Sequence, residues 1–384
     1  MTTVAGEVVD AVRERLSRRP GELSPARVAE ALRATGLPVG DATVLAVHDA
    51  LRGDVLGAGI LEPLLRLPGV TDVLVNGADQ VYLDRGAGLE PTEVRFPGDE
   101  AVRRLAQRLA AGGGRRLDDA TPYVDVRLPD GTRLHAVLAP LARPGTIVSL
   151  RVPTRRAFTL DDLVDAGACG AAGARLLADL VAAKLAFLVS GGTGSGKTTL
   201  LGTLLGLVDP RERLVLVEDS AELAPDHPHV VALEARPPNL EGAGEITVRD
   251  LVRQALRMRP DRLVVGEVRG AEVTDLLAAL NTGHEGGCGT IHANSAGDVP
   301  ARVEALALAA GLPRAAVHSQ FASAVDAVVH LDRDRGGVRR LREVAVPRRQ
   351  PDGLVSMATA VQFAHDGSVR EGPGADALAT RLST

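Results

Sequence analysis

Leu185–Val208, LAFLVSGGTGSGKTTLLGTLLGLV, restricts the fold more than any other stretch. Leu185–Val189 is an apolar run of strand length. A glycine-rich turn follows, and then an apolar-periodic segment of helical length that runs toward Val208. Gly191 to Thr198 satisfies G-x-x-x-x-G-K-[ST]. The small residues Gly191, Gly192, Thr193, Gly194, Ser195 and Gly196 let consecutive backbone N–H groups curl into an anion nest. A helix that starts near Lys197 adds its positive end. In such a loop Lys197 reaches the β- and γ-phosphates, Thr198 gives its hydroxyl to Mg²⁺, and Thr199 continues the nucleotide-binding turn. The plain alternative is a glycine-rich turn with a solvent-facing lysine. The strand before it and the helix after it argue for the phosphate loop.

Composition sets the outer bounds. With 384 residues the chain has room for two or three domains. Aromatics are 2% and Trp is absent, so Leu, Val and Ala must build the core. Lys and Arg number 44 against 49 Asp and Glu, a net charge of −5, which argues against a protein that coats nucleic acid. Cys169 and Cys288 are the two cysteines, too few for a four-cysteine zinc site or a disulfide scaffold. No apolar signal-peptide core and no uncharged run long enough to span a bilayer is evident. The expectation is a soluble cytoplasmic protein that meets a membrane only through a partner, with no zinc and no direct nucleic acid.

Along the chain, residues 1–58 read as a helical segment, with helices at Val4–Leu16, Ala26–Thr35 and Asp41–Leu51. Residues 59–148 read as a small α+β domain. Its expected strands are 70–76, 80–84, 123–128 and 133–138, with helices at 61–67 and 99–111. Residues 149–158 read as a linker that holds the β-rich end of 146–152. From 159 to 347 strands and helices alternate, as a parallel sheet requires, with strands at 185–190, 214–218, 263–266, 287–292 and 326–331. Weak periodicity after Pro347 suggests a loosely docked extension, 348–384.

Acids stand at the ends of two of these strands. Leu214–Glu218 ends in Glu218-Asp219, with Glu222 following, and carboxylates at the carboxyl ends of strands suit Mg²⁺ coordination or water positioning. Leu263–Glu267 ends in Glu267, placed to orient and deprotonate a water that attacks a γ-phosphate. The usual motif carries Asp before this Glu; here it is Gly266. Arg253 and Arg257 lie four apart, a spacing that puts two cations on one helix face and suits arginine fingers offered to a neighbouring subunit. Surface salt bridging is the alternative. His284 and His292 are eight apart across a glycine-rich segment. That is poor zinc spacing, but an imidazole near a γ-phosphate suits nucleotide sensing.

Taken in order, the phosphate loop, VLVEDSAEL (215–223), MRPDRLVVGEVRG (258–270) and TGHEGGCGTIHANS (282–295) resemble the Walker A, Asp-box, Walker B and His-box series of the type II/IV secretion ATPase superfamily. Residues 229–260 resemble its tight-adherence (Flp pilus) branch. VTDVLVNG (70–77) and VDVRLPDGTRLHAV (124–137) look like that family's N-terminal domain. The resemblance implies a RecA-like α/β domain after a small α+β domain, and a hexameric ring with ATP held between the two. It implies Mg²⁺ as cofactor and a polytopic inner-membrane platform protein as partner. Carried over by position, Lys197 and Thr198 match the phosphate and Mg²⁺ ligands, Glu267 the catalytic glutamate, Glu218 the Asp-box acid, and His284 and His292 the His box. Arg253 and Arg257 match arginines placed at the nucleotide. Arg133 matches an N-terminal-domain arginine that reaches the phosphates, and Arg151 lies in the linker strand near them. A regulatory nucleotide-binding scaffold and a DNA-translocating ATPase are the competing readings.

Overall fold

The computed structural model describes residues 57–152 and 157–383 apart from 87, 240–241, 284, 335–336 and 365–367. It also describes 24–35 and scattered positions among the first 56 residues. The chain divides into two compact units, Met1–Pro153 and Thr154–Thr384.

In the first unit, helix Pro25–Arg33 starts one residue earlier than the sequence suggests. Pro25 reads as a breaker, yet it occupies the first helical turn, where its missing N–H costs nothing, and Ser24 caps the helix. Val12, Val28, Leu32 and Val47 bury together there. The expected helices at 4–16 and 41–51 fall largely outside the described residues. Six antiparallel strands follow: β1 (Asp72–Asn76), β2 (Val81–Asp84), β3 (Leu89–Pro91), β4 (Tyr123–Arg127), β5 (Arg133–Val137) and β6 (Ile147–Arg151), in the order β3-β2-β1-β6-β5-β4. Helix Asp99–Gly112 turns Val102, Leu105, Ala106 and Leu109 onto the sheet's buried face. β4 and β5 join through Pro129-Asp130-Gly131, where Gly131 takes φ +92° and Asp130 Oδ1 accepts the Thr132 N–H at 3.0 Å. The β-rich end of 146–152 is β6, which pairs with both β1 and β5 near the middle of this sheet, so residues up to Arg151 belong to the sheet and not to a linker.

The second unit is built on a nine-stranded sheet. β7 (Phe187–Gly191), β8 (Leu214–Glu218), β9 (Val230–Glu234), β10 (Arg262–Val268), β11 (Cys288–His292) and β12 (Ala327–Arg333) run parallel. β13 (Arg339–Arg349), β14 (Val355–Phe363) and β15 (Val369–Glu371) continue it antiparallel, giving β15-β14-β13-β12-β7-β11-β10-β8-β9. β7 and β8 are buried throughout, as continuous apolar runs covered on both faces should be. Helices Ala171–Ala182 and Lys197–Leu205 cover one face, and Val248–Ala255, Glu272–Leu280, Val299–Ala309 and Arg314–Ala324 the other. No helix lies between β8 and β9, so the alternation is not complete. The extension expected after Pro347 is also corrected. β14 pairs with β13 along nearly its whole length, and helix Ala375–Leu382 buries Leu378 in the core. No helix among the described residues is long and apolar enough to cross a membrane.

A candidate nucleotide site at the end of the central strand

β7 lies between β11 and β12, and the chain leaves its carboxyl end into the phosphate loop. Gly194 and Gly196 take φ +70° and +94°, left-handed values that glycine adopts without strain. Lys197 opens the helix and is buried. Its Nζ donates to Gly191 O at 3.1 Å and Gly192 O at 2.8 Å, so the ammonium sits on the loop's own carbonyls. Burial holds it below the ordinary lysine value, against the pull of Glu267.

The neighbouring strands bring the acids. β10 carries one extra residue against β11 between Val265 and Val268, a bulge at Gly266-Glu267 of the kind that re-aims a side chain. The Thr290 hydroxyl ties β11 to this point by donating to Gly266 O at 2.6 Å. Glu267 Oε2 accepts from Arg269 Nη2, and Arg269 reaches on toward Asp219 at 3.6 Å. His292 Nε2 lies 2.6 Å from Glu267 Oε1, and its Nδ1 faces Lys197 Nζ at 3.4 Å. One imidazole therefore links the ammonium to the glutamate. The Nε2–Oε1 pair is close but poorly aligned, and this buried oxygen has no other partner among the described residues. Burial, and then Lys197, lower the His292 pKa. A neutral ring with Nδ1 toward an ammonium carries its proton on Nε2, toward Glu267.

Glu218 points elsewhere than a solvent carboxylate would. It is buried, and Oε1 accepts the N–H groups of Glu222 and Leu223, each at 2.9 Å. Oε2 is buried without a partner among the described residues. Burial, reinforced by Glu222 and Glu234, raises its carboxyl to about 7 against the opposing pull of the two N–H groups. Gly266 is the reason it fits. A Cβ there would lie 2.6 Å from Glu218 Cγ. The glycine that replaces the usual Asp makes room for the acid of the adjacent strand. An unpartnered buried oxygen on Glu218 and a threonine at the second helical position, Thr198, suit Mg²⁺ held largely by phosphate and water.

The arginine pair expected at 253 and 257 does not form. The helix ends at Ala255, so Arg257 lies beyond it, exposed. Arg253 instead shares Asp275 with Arg249, Nε to carboxylate at 2.8 and 2.7 Å. His284 lies outside the described residues. In the first unit, Arg133 is held bidentately by Asp125, at 2.8 and 2.6 Å. Arg127, Arg133, Arg151 and Asp72 stand in register across β4, β5, β6 and β1, which puts three arginines on one exposed sheet face. Sequence reading missed Arg269. Its position two residues after Glu267 on an extended strand was the available signal. It missed Arg333 and Arg339 as well, which meet the loop from β12 and β13 beside it.

A parallel sheet with a phosphate loop at its central strand, and acids on the two strands beyond β11, defines a RecA-like nucleotide-binding unit. The chain belongs to the type II/IV secretion system protein family, whose model matches residues 54–356. A Mycobacterium tuberculosis protein whose name provisionally assigns it to conjugal transfer is 60% identical over 327 residues, 84% of this chain and 93% of that one. Type IV secretion system protein PtlH of Bordetella pertussis is 33% identical over 321 residues, 77% of this chain and 94% of that protein. The crystal structure of the pilus retraction motor PilT with bound ADP shares the fold, with a TM-score of 0.51 and 19% identity over 84% of this chain and 87% of that one.

Proposed function

We propose that this protein is the ATP-hydrolysing motor of a secretion or pilus-assembly system of the tight-adherence (Flp) type. It works as a homo-oligomeric, hexameric ring at the cytoplasmic face of the inner membrane and acts on a polytopic platform protein there. Three features support a motor over a passive scaffold: family membership, the loop around Lys197, and above all the Glu267 carboxylate standing one imidazole away from that lysine.

In this reading the terminal phosphates draw Lys197 Nζ away from the Gly191 and Gly192 carbonyls, since charge-assisted hydrogen bonds are the stronger ones. Arg269 and His292 fix the Glu267 carboxylate, which orients a water and takes its proton. The neutral His292 couples the two, because any movement of Lys197 is felt at Nδ1. Thr198 and Glu218 are the protein groups that would hold Mg²⁺, which neutralises phosphate charge when bound. Arg257, exposed beyond its helix, is the arginine offered to a neighbouring subunit, and Arg133 and Arg151 of the first unit serve the phosphates. The assay is steady-state phosphate release by Glu267→Gln beside a direct nucleotide-binding titration. The variant keeps binding and loses about 10²-fold or more in kcat. Hydrolysis at the wild-type rate removes Glu267 as the base. Tight binding with negligible turnover by the assembled wild-type ring favours the scaffold reading.

A further inference from the structure

Lys197 and its carbonyl partners occupy one side of the phosphate loop, beside β11. The other side, beside β12, is met by the hairpin that joins β12 to β13. Arg333 and Arg339 stand directly opposite each other across that hairpin. Arg339 Nε donates to Gly194 O at 3.0 Å. A Cβ at Gly196 would lie 3.3 Å from Arg339 Cδ, and one at Gly194 3.4 Å from Arg333 Nη1. Both side chains therefore rest on the loop's tip. Arg333 Nε is turned to Gly337 O at 3.3 Å. The hairpin's acids are turned to other arginines: Asp334 to Arg340 at 3.6 Å and Asp332 to Arg342 at 3.7 Å. Neither Arg333 nor Arg339 makes an ion pair among the described residues.

Like charges directly opposite on an antiparallel pair destabilise it. Here they are also pressed against a loop whose N–H groups already favour anions. A phosphate between them relieves both conditions, and the planar guanidinium fork matches phosphate geometry. We propose that Arg333 and Arg339 are nucleotide-binding residues supplied by the same subunit. They grip the α-phosphate side of a nucleoside di- or triphosphate, across the loop from the Lys197, His292 and Glu267 that serve its terminal phosphate. The inference rests on the loop holding a nucleotide, as proposed above.

The test is a fluorescence titration of N-methylanthraniloyl-ADP with Mg²⁺, from low to high salt. The proteins are the wild type, Arg333→Gln, Arg339→Gln and Arg339→Lys. Each Gln variant binds about tenfold more weakly or worse, as expected for a lost charge-assisted contact. Arg339→Lys recovers part of the loss. The dependence of log Kd on salt becomes shallower in the Gln variants, because a charge that meets phosphate has gone. Unchanged ADP affinity in both Gln variants, with unfolding temperatures at the wild-type value, overturns the proposal. So does weakened binding with an unaltered salt slope, which marks a loop merely held in shape by the Gly194 contact. Should Arg339→Gln fail to fold, Arg333→Gln decides alone, since its side-chain hydrogen bond runs to Gly337 O within its own hairpin. A wild type that binds no nucleotide overturns this inference together with the proposed function. A wild type that binds and hydrolyses, matched by its variants, overturns this inference only.

Discussion

Gly266→Ala tests whether the glycine before Glu267 exists to house Glu218. The added Cβ would sit 2.6 Å from Glu218 Cγ, 3.0 Å from Oε1 and 3.2 Å from Cδ. The carboxylate cannot tilt aside freely, because Oε1 is held by two backbone N–H groups and the residue is only 3% exposed. Displacing it strands the Glu222 and Leu223 N–H groups, at about 1–3 kcal/mol each. Replacing Gly with Ala returns about 0.4–1 kcal/mol by restricting the unfolded chain. The net expectation is a destabilisation of about 2–4 kcal/mol, read by urea unfolding followed by circular dichroism, since the chain has no Trp. The sharper measurement is a double-mutant cycle with Glu218→Ala. Once the acid is gone the methyl has its space, and Gly266→Ala on that background costs less than about 1 kcal/mol, a coupling of about 2–3 kcal/mol. A Gly266→Ala protein as stable as wild type, or a cycle with no coupling, refutes the reasoning.

Other perturbations separate charge, burial and binding. Burial lifts the Glu218 carboxyl to about 7, above its ordinary value, so between about pH 4.5 and 7 the folded chain keeps a proton that the unfolded chain releases. The stability this proton confers is present at the acid end and lost as pH rises through that window. Relative to Glu218→Gln, wild type therefore loses about 1.4 kcal/mol per pH unit there in metal-free denaturation curves, and a flat difference contradicts the burial argument. Asp275→Asn frees Arg249 and Arg253, but both arginines are about a third to half exposed. The melting experiment should therefore show a loss of only about 1 kcal/mol. His318 is buried, with Nε2 at 2.8 Å from Glu304 and Nδ1 accepting the Val355 N–H at 2.9 Å. His318→Leu strands that N–H and costs about 1–3 kcal/mol while nucleotide affinity holds. Lys197→Met abolishes nucleotide binding at unchanged melting temperature, and retained binding would remove the loop from the account.

What was legible in the sequence was carried by consecutive residues. The phosphate loop, β8 and Glu267 at the end of β10 were found because a buried parallel strand is an uninterrupted apolar run and its exit turn is written in glycines. Arg253 and Arg257 do not share a helix face, because i,i+4 spacing presumes a helix that in fact stops at Ala255. β13 and β14 went unread for a different reason. Both ladders of β13 carry a register shift, at His330/Leu331 on one side and Val344/Ala345 on the other, and each irregularity breaks the period-two alternation that marks a strand. Gly266 shows the limit most clearly. In isolation it is a missing metal ligand; beside β8 it is the space that admits Glu218, a residue 48 positions away. Arg339 on Gly194 spans 145 positions in the same way. Contacts of this kind arise from strand order, β12-β7-β11-β10-β8, in which all neighbours except β11 and β10 are distant in sequence. The second ring of residues around the loop therefore becomes visible only once that order is known, and it is there that the acid's environment and the loop's extra cations are set.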